Sequence, residues 1–194
     1  MSSSSRCASP ESLARRRVLL LAAAALCTQP LAALASRTPP REVQGDLPGA
    51  SLQGQGRLRF LGLHIYDIRL WTASPLRGDN ALSAGAALEI EYARQLKGLA
   101  IAERSLSEMQ RVGAVDAGDG QRWLAAMKQL FPDVHAGDRI TGVHRPGEGA
   151  RFHVNGRLAG EVRDAEFARL FFAIWLSPRT SEPQLRAALL GLAP

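Results

Sequence analysis

The chain has 194 residues, with 24 Lys and Arg against 18 Asp and Glu, which gives a formal net charge of +6 at pH 7. Half of this charge, +3, comes from the first 35 residues, where one glutamate accompanies four arginines: Glu11, Arg6, Arg15, Arg16 and Arg17. The +3 that remains for residues 36–194 does not point to a nucleic-acid partner. Both cysteines, Cys7 and Cys27, also lie in the first 35 residues, so no disulfide or thiol metal site is expected beyond them.

Residues 1–35 are predicted to be a cleaved export signal peptide. Three arginines at 15–17 precede an apolar run at 18–26 that is too short to span a bilayer, and Ala33-Leu34-Ala35 offers a small-x-small cleavage site. Arg15-Arg16 also permits a twin-arginine signal. A lipoprotein signal at Cys27 is disfavoured because Leu26 stands where a small residue is expected. The pattern therefore predicts a periplasmic protein with no transmembrane segment in its mature part.

Residues 36–50, which carry three prolines, are predicted to form an extended N-terminal arm, and residues 51–194 a single domain. A domain of this size buries roughly two thirds of its unfolded surface and needs no covalent cross-link.

The first predicted strands cover 54–71 and 87–94. In the first, Leu58 and Phe60 alternate with arginines, and Gly62 marks a turn or bulge across which the side-chain parity stays open. In the second, Leu88, Ile90 and Tyr92 share one face.

Helices and further strands follow. Ser105 and Glu108 have capping-box spacing and predict a helix over 105–112, and a second helix is predicted over 118–131, before Pro132. A strand over 138–143 and a hairpin over 151–162 come next. The hairpin turn is Asn155-Gly156, which suits a type I′ turn because both residues tolerate positive φ.

The last third of the chain predicts two helices. Asp164 can cap the first, and its apolar face carries large side chains at helical spacing: Phe167, Leu170, Phe171, Ile174 and Trp175. The second begins around Ser181 and Pro183. The order of strands and helices predicts an α+β domain with a mostly antiparallel sheet.

The chain offers little catalytic machinery. Its four histidines are scattered and are best explained as ordinary strand or loop residues: His64, His135, His144 and His153. No G-x-S-x-G motif occurs, and Gly54-Gln55-Gly56 is only a fragment of a dinucleotide-binding motif. No metal and no cofactor is expected.

One group of residues could bind an anion. Two neighbouring predicted strands carry cationic and phenolic side chains beside apolar faces: Arg57, Arg59, Tyr66, Tyr92, Arg94 and Lys97. An arginine beside a tyrosine at the mouth of an apolar pocket suits a carboxylate or enolate. The alternative explanation is a solvated strand face, on which arginines extend outward and tyrosines cover the edge of the core.

Five segments between Gly54 and Gly191 carry a family resemblance: HIYDIRLW, LEIEYAR, FPDVHAGDRITGV, the hairpin RFHVNGRLAGEV and FFAIWLSPRTSEPQLRAALLG. Together they resemble the chalcone isomerase-like family. The chain looks like an exported bacterial member of that family. The resemblance implies an open-faced β-sandwich, a large antiparallel sheet with helices on one face and a ligand cleft between them.

The resemblance also implies site residues. In the plant isomerases and the fatty-acid-binding members, an arginine on an early strand meets the anionic part of the ligand, a role that falls to Arg59, or to Arg57 if the register slips. The tyrosine that assists in fatty-acid binders corresponds to Tyr66. The plant enzymes add a tyrosine and an asparagine after the third strand, and the corresponding segment here, 100–111, has neither.

Three functions are therefore open. The first is a non-catalytic binder of a small amphipathic anion such as a fatty acid. The second is a cofactor-independent isomerase or intramolecular lyase acting on a chalcone-like or unsaturated ketone, with Arg59 stabilising the developing charge. The third is a structural or partner-binding envelope module. The sequence does not indicate the oligomeric state.

Overall fold

The computed structural model describes residues 38–78 and 80–192, so the predicted signal peptide at 1–35 lies outside the described residues. The strands are β1 Ser51–Phe60, β2 Leu63–Thr72, β3 Ala86–Tyr92, β4 Arg139–Arg145, β5 Gly149–Val154 and β6 Arg157–Val162. The helices are α1 Arg41–Asp46, α2 Gly98–Val112, α3 Ala117–Leu130, α4 Ala165–Leu176 and α5 Pro183–Leu190. No helix within the described ranges is long and apolar enough to cross a bilayer.

The six strands form one antiparallel sheet in the order β1-β2-β3-β4-β5-β6. Each strand is therefore hydrogen-bonded to the strand that precedes or follows it in sequence. The longest connection, which contains α2 and α3, joins β3 to β4. The β5–β6 turn has positive φ at Asn155 (50°) and Gly156 (79°), as the Asn-Gly pair predicted. The predicted α+β class with an open antiparallel sheet is confirmed.

The β1–β2 hairpin resolves the parity left open at Gly62. Leu58 pairs with Tyr66, but Arg59 pairs with His64, so β2 bulges by one residue at this point. The bulge places His64 beside Asp67, 3.3 Å away on the sheet's outer face, instead of on the inner face with Tyr66. Beyond the bulge the side chains of β2 alternate between the two faces, and Ile68 and Leu70 are fully buried in the main core.

Helices α2, α4 and α5 contribute to the core on the inner face of the sheet. Asp164 caps α4 as predicted, since its carboxylate accepts hydrogen bonds from the backbone N–H groups of Glu166 and Phe167. Nearly all of α4 is buried, and its aromatic rings pack edge to face on Phe152 of β5. The helix therefore packs mainly against β5 and β4 on the inner face of the sheet.

The predicted extended arm at 36–50 contains a helix, α1, that packs on the outer face of the sheet. Val43 is fully buried there with Trp71 and Val143. The carboxylate of Glu42 lies 2.7 Å from Arg139 Nη2, an ion pair that ties the helix to β4. Prolines predict extended backbone locally, but Pro40 sits just before the first turn of α1, where a missing N–H costs nothing.

Helix α2 begins seven residues earlier than the 105–112 prediction. The hydroxyl of Ser105 donates to the Ile101 carbonyl within the helix (2.8 Å) and does not cap it. The cap comes instead from a distant residue, because Asp133 accepts from the Gly98 N–H at 2.9 Å. A cap supplied from 35 residues away leaves no local sequence signal.

Candidate ligand-binding cavity

A cavity of about 310 Å³ lies between the inner face of the sheet and the helices. Its walls are mainly apolar, with Leu58 and Ile90 from the sheet, Ile101 from α2, and Phe171 and Ile174 from α4. This volume is at the lower end of the range for small-molecule pockets, about 300–1,000 Å³. The cavity is thus an apolar space that can hold a small ligand or part of a longer one.

A tyrosine and a tryptophan join the sheet to α4 across this space. The indole Nε1–H of Trp175 donates to the phenol oxygen of Tyr66 at 2.9 Å. Burial raises the pKa of Tyr66 well above its usual value, so the phenol keeps its proton. Because the oxygen accepts from Trp175, the hydroxyl hydrogen of Tyr66 is left to donate toward another group.

The second tyrosine of the cavity, Tyr92, pairs directly opposite Tyr66 in the sheet. The two rings pack edge to face with centroids 6.1 Å apart. Burial also raises the pKa of Tyr92, and its hydroxyl has no hydrogen-bond partner among the described residues. Two neutral phenols therefore bring O–H donors to an otherwise apolar wall.

Helix α2 contributes charged groups to the cavity rim. Glu108 is buried, with 5% of its side chain exposed, and its carboxylate lies 2.6 Å from Arg104 Nη2 and 3.3 Å from Arg111 Nε. The side chain of Arg104 is 64% exposed, so it keeps guanidinium N–H groups free for a ligand. Glu182, next to α5, supplies a further carboxylate to the lining.

Of the residues predicted from sequence to bind a ligand, Tyr66 and Tyr92 line the cavity and the two arginines of β1 do not. Arg57 Nε donates to Asp67 at 2.7 Å on the outer face. Arg59 is exposed and lies 3.5 Å from the Gly62 carbonyl. Both arginines point away because Leu58, between them, faces the helices, and neighbouring side chains of a strand alternate. The expectation that Arg59 or Arg57 reaches the cleft does not fit this geometry.

The remaining two predicted residues also lie outside the cavity lining. Lys97 Nζ donates to Asp133 at 2.7 Å, beside the start of α2. Arg94 follows β3, next to the first residues of β2, because the Ala93 N–H donates to the Ile65 carbonyl at 2.9 Å. Both cations are near the cavity but not in its wall.

Sequence reasoning did not place Arg104 or Glu108 at the site. Arg104 lies before the predicted helix, which began at residue 105, and Glu108 was assigned to a capping box. With the helix beginning at Gly98, the residues Ile101, Ser105 and Glu108 fall at i, i+4 and i+7 on one face, and all of them line the cavity. The helical spacing was present in the sequence. From the sequence alone, polar residues such as Ser105 and Glu108 are expected to face solvent. Only the packing of the helix against the sheet shows that they face the cavity.

A second depression, of about 550 Å³, lies on the outer face of the sheet beside α1. Most of its charged side chains are paired with each other: Arg69 contacts Glu89 and Glu91, and Trp71 Nε1 donates to Glu89 at 2.8 Å. These pairs occupy most of the charged groups that a ligand would use, so the smaller apolar cavity is the better candidate site. Within 38–78 and 80–192, no three His, Cys, Asp or Glu side chains are grouped to hold a metal ion.

Comparison with known proteins agrees with this architecture. The sequence model of the family described as chalcone isomerase-like matches residues 40–191. The fold is similar to that of a crystal structure of an Arabidopsis thaliana fatty-acid binding protein, with a TM-score of 0.59 and 14% sequence identity, over 74% of this chain and 87% of that chain. No match was found among curated protein sequences. The chain belongs to the chalcone isomerase-like family.

Proposed function

We propose that this protein binds a fatty acid, or a similar amphipathic carboxylate, in the cavity between the sheet and the helices, without transforming it. The observation that carries the proposal is an apolar cavity of about 310 Å³ whose polar groups include the two phenols and Arg104. An acyl chain gains free energy in the apolar part because water leaves both surfaces. Its carboxylate needs hydrogen-bond donors, which the phenols and the guanidinium supply.

The carboxylate is assigned to Arg104 and Tyr66. Arg104, Glu108 and Glu182 line the same cavity as Tyr66. Among them Arg104 is the cation, and its pairing with Glu108 orients the guanidinium at the rim. The two carboxylates repel an anion, so Arg104 and the phenol donor must face the ligand for binding to be favourable.

The similarity to the Arabidopsis fatty-acid binding protein supports the same ligand class. That protein shares 14% of its sequence with this chain, so its fold is the common element and its ligand is a hypothesis here. The family also includes the chalcone isomerases, and therefore the proposed ligand class must be tested directly.

Native mass spectrometry of the purified protein tests the proposal. We expect a population heavier than the apo protein by the mass of one fatty acid, and uptake of added fatty acids by protein stripped of lipid. Variants that fill the cavity, such as Ile90→Trp, should lose uptake while keeping the far-ultraviolet circular dichroism of the fold. Protein that purifies without lipid and takes up no acyl chain from C8 to C16 would contradict the proposal.

An isomerase reaction is a second candidate, favoured by one observation. The buried carboxylate of Glu108 lines the same cavity as the two phenols and Arg104, so an acid, a base and a cation adjoin one apolar space. Such groups can move a proton next to a carbonyl and stabilise an enolate. Turnover of naringenin chalcone above the uncatalysed rate, abolished in Glu108→Gln, would support it, whereas turnover equal to the buffer rate would remove it.

We also propose that the protein is an exported, periplasmic member of its family. The support is the arginine-led, short apolar segment at 15–26 followed by Ala33-Leu34-Ala35. The mass of the protein recovered from a periplasmic extract should correspond to a chain that begins at Ser36. Recovery of the uncleaved chain in the cytoplasm would contradict export.

A further inference from the structure

The tip of the β1–β2 hairpin exposes an unusual amount of apolar surface. Phe60, Leu61 and Leu63 are 58%, 86% and 52% exposed, and they flank or form the turn. Leu61 has φ 49° and Gly62 has φ 79°, nearly the same turn as Asn155 (50°) and Gly156 (79°) between β5 and β6. We call residues 60–63 the apolar tip.

Because the two turns have nearly the same φ angles, their residues can be compared directly. Asparagine tolerates positive φ and is well solvated, whereas leucine at the same conformation costs backbone strain and exposes a large apolar side chain. Folding alone therefore favours an asparagine or aspartate at position 61. The leucine is better explained by a surface that the exposed side chain enters.

The apolar tip adjoins the candidate cavity. Phe60, at the end of β1, lines the cavity although it is more than half exposed, and Ile65, just after the tip, lines it as well. Leu99, at the start of α2, is 50% exposed and precedes Ala100, another lining residue. Exposed apolar side chains thus lie in or next to the cavity lining both on the β1–β2 hairpin and on α2.

Positive charge surrounds the apolar tip. Arg59 immediately precedes it and is exposed, and Arg94 lies beside the first residues of β2. Neither guanidinium has an ion-pair partner within 4.0 Å among the described residues. Arg57 and Lys97 add cations that are each paired with one carboxylate. The charge at this end of the molecule therefore complements an anionic surface.

We propose that the apolar tip inserts into an anionic lipid bilayer, with Arg59 and Arg94 at the headgroups, so that the cavity opens toward the membrane. Apolar side chains at a convex tip, next to basic side chains, suit the boundary between headgroups and acyl chains. A stable interface with a protein buries about 800 Å² on each partner, far more than a four-residue turn presents. Transfer of the fatty acid between bilayer and cavity is the step that rests on the proposed function.

A tryptophan reporter tests insertion at the apolar tip directly. Leu61→Trp places an indole at the turn, and Leu158→Trp is the matched control, because Leu158 is 61% exposed on β6 at the opposite edge of the sheet. The three native tryptophans are 7% exposed or less, so they contribute a constant background. The probes are the full chain with vesicles of brominated phosphatidylcholine, with and without phosphatidylglycerol.

With phosphatidylglycerol present, we expect the emission of Leu61→Trp to shift to the blue and to be quenched by bromine, while that of Leu158→Trp stays unchanged. Arg59→Glu in the Leu61→Trp background should weaken this response roughly fivefold or more, since each basic residue near an anionic surface contributes about that factor. Equal quenching at positions 61 and 158, or none at 61, would overturn the proposal. So would self-association of the chain through Leu61 in the absence of vesicles.

Uptake of fatty acid from solution by Leu61→Ser/Leu63→Ser separates this proposal from the proposed function. Neither leucine lines the cavity, so we expect this variant to bind the free acid normally and to exchange it with vesicles slowly. Insertion of the tip with no acid bound by any variant would contradict the proposed function alone. Normal uptake together with vesicle exchange as fast as in the native protein would contradict the membrane proposal alone.

Discussion

Trp175 on α4 donates its indole N–H to the phenol oxygen of Tyr66 on β2, over 2.9 Å and 109 residues of sequence. The bond holds the helix layer to the sheet at one wall of the cavity, where Trp175 is buried and Tyr66 is partly buried. It also restricts the direction in which the Tyr66 hydroxyl can donate its own hydrogen. Stability and ligand binding therefore depend on the same bond.

Replacement of Tyr66 by phenylalanine tests this dependence. We expect Tyr66→Phe to lower the free energy of unfolding by about 1–3 kcal/mol, because the buried indole N–H of Trp175 loses its acceptor. Tyr92→Phe is the matched control, since the Tyr92 hydroxyl has no partner among the described residues, and it should cost less. Urea unfolding followed by circular dichroism measures both. Equal losses for the two variants would show that the Trp175 bond adds nothing.

The two tyrosines also predict how stability changes at high pH. Burial raises the pKa of both Tyr66 and Tyr92 in the folded protein, whereas in the unfolded chain they ionise near the ordinary value of 10.0. Below pH 10 the phenols of both states are neutral, so their contribution is fully present. As the pH rises above 10, the unfolded chain loses protons first, and stability falls.

Absorbance at 295 nm follows this titration, and the chain has only these two tyrosines, so the signal comes from the cavity alone. We expect phenolate to form abruptly, together with loss of the near-ultraviolet circular dichroism. In Tyr66→Phe/Tyr92→Phe the stability should depend less steeply on pH in this range. Gradual ionisation centred near pH 10 in a protein that stays folded would contradict the burial of the two phenols.

Glycine 54 in β1 is predicted to be required for the contact between the sheet and α5. A Cβ atom at Gly54 would collide with the backbone carbonyls of Ala188 and Leu189, which have no flexible end that could move aside. Gly54→Ala should therefore destabilise the fold by about 1–3 kcal/mol. Gly45→Ala in α1 is the control, because its Cβ meets no atom within 4 Å; thermal unfolding should show no loss there.

The sequence predicted the fold well where the signal was local. The Asn155-Gly156 turn and the Asp164 cap each depend on neighbours within a few residues, and both are confirmed. The start of α2 was missed because its capping carboxylate, Asp133, comes from a distant loop. The helix in the arm was missed because its stability comes from burying Val43 on the sheet, a tertiary contact that local proline content conceals.

The candidate site was only half predictable for a related reason. Alternation in β2 and β3 brings Tyr66 and Tyr92 together, and that pairing follows from strand periodicity. The cation at the cavity is on a helix, however, and only the packing of α2 over the sheet reveals Arg104. Side chains alternate along β1, so Arg59 lies on the face opposite Leu58. Arg59 is also next to the apolar tip.

Isothermal titration with a single fatty acid, comparing Arg104→Gln with Arg59→Gln, tests the central claim most directly. We expect Arg104→Gln to raise the Kd about tenfold or more, since a charge-assisted hydrogen bond is worth about 1.5–3 kcal/mol. Arg59→Gln should bind like the native protein. Because Arg104→Gln leaves Glu108 with one cation fewer, Arg104→Gln/Glu108→Gln should also be measured, and its binding should stay weak. Loss of binding in Arg59→Gln, with none in either Arg104 variant, would contradict the account.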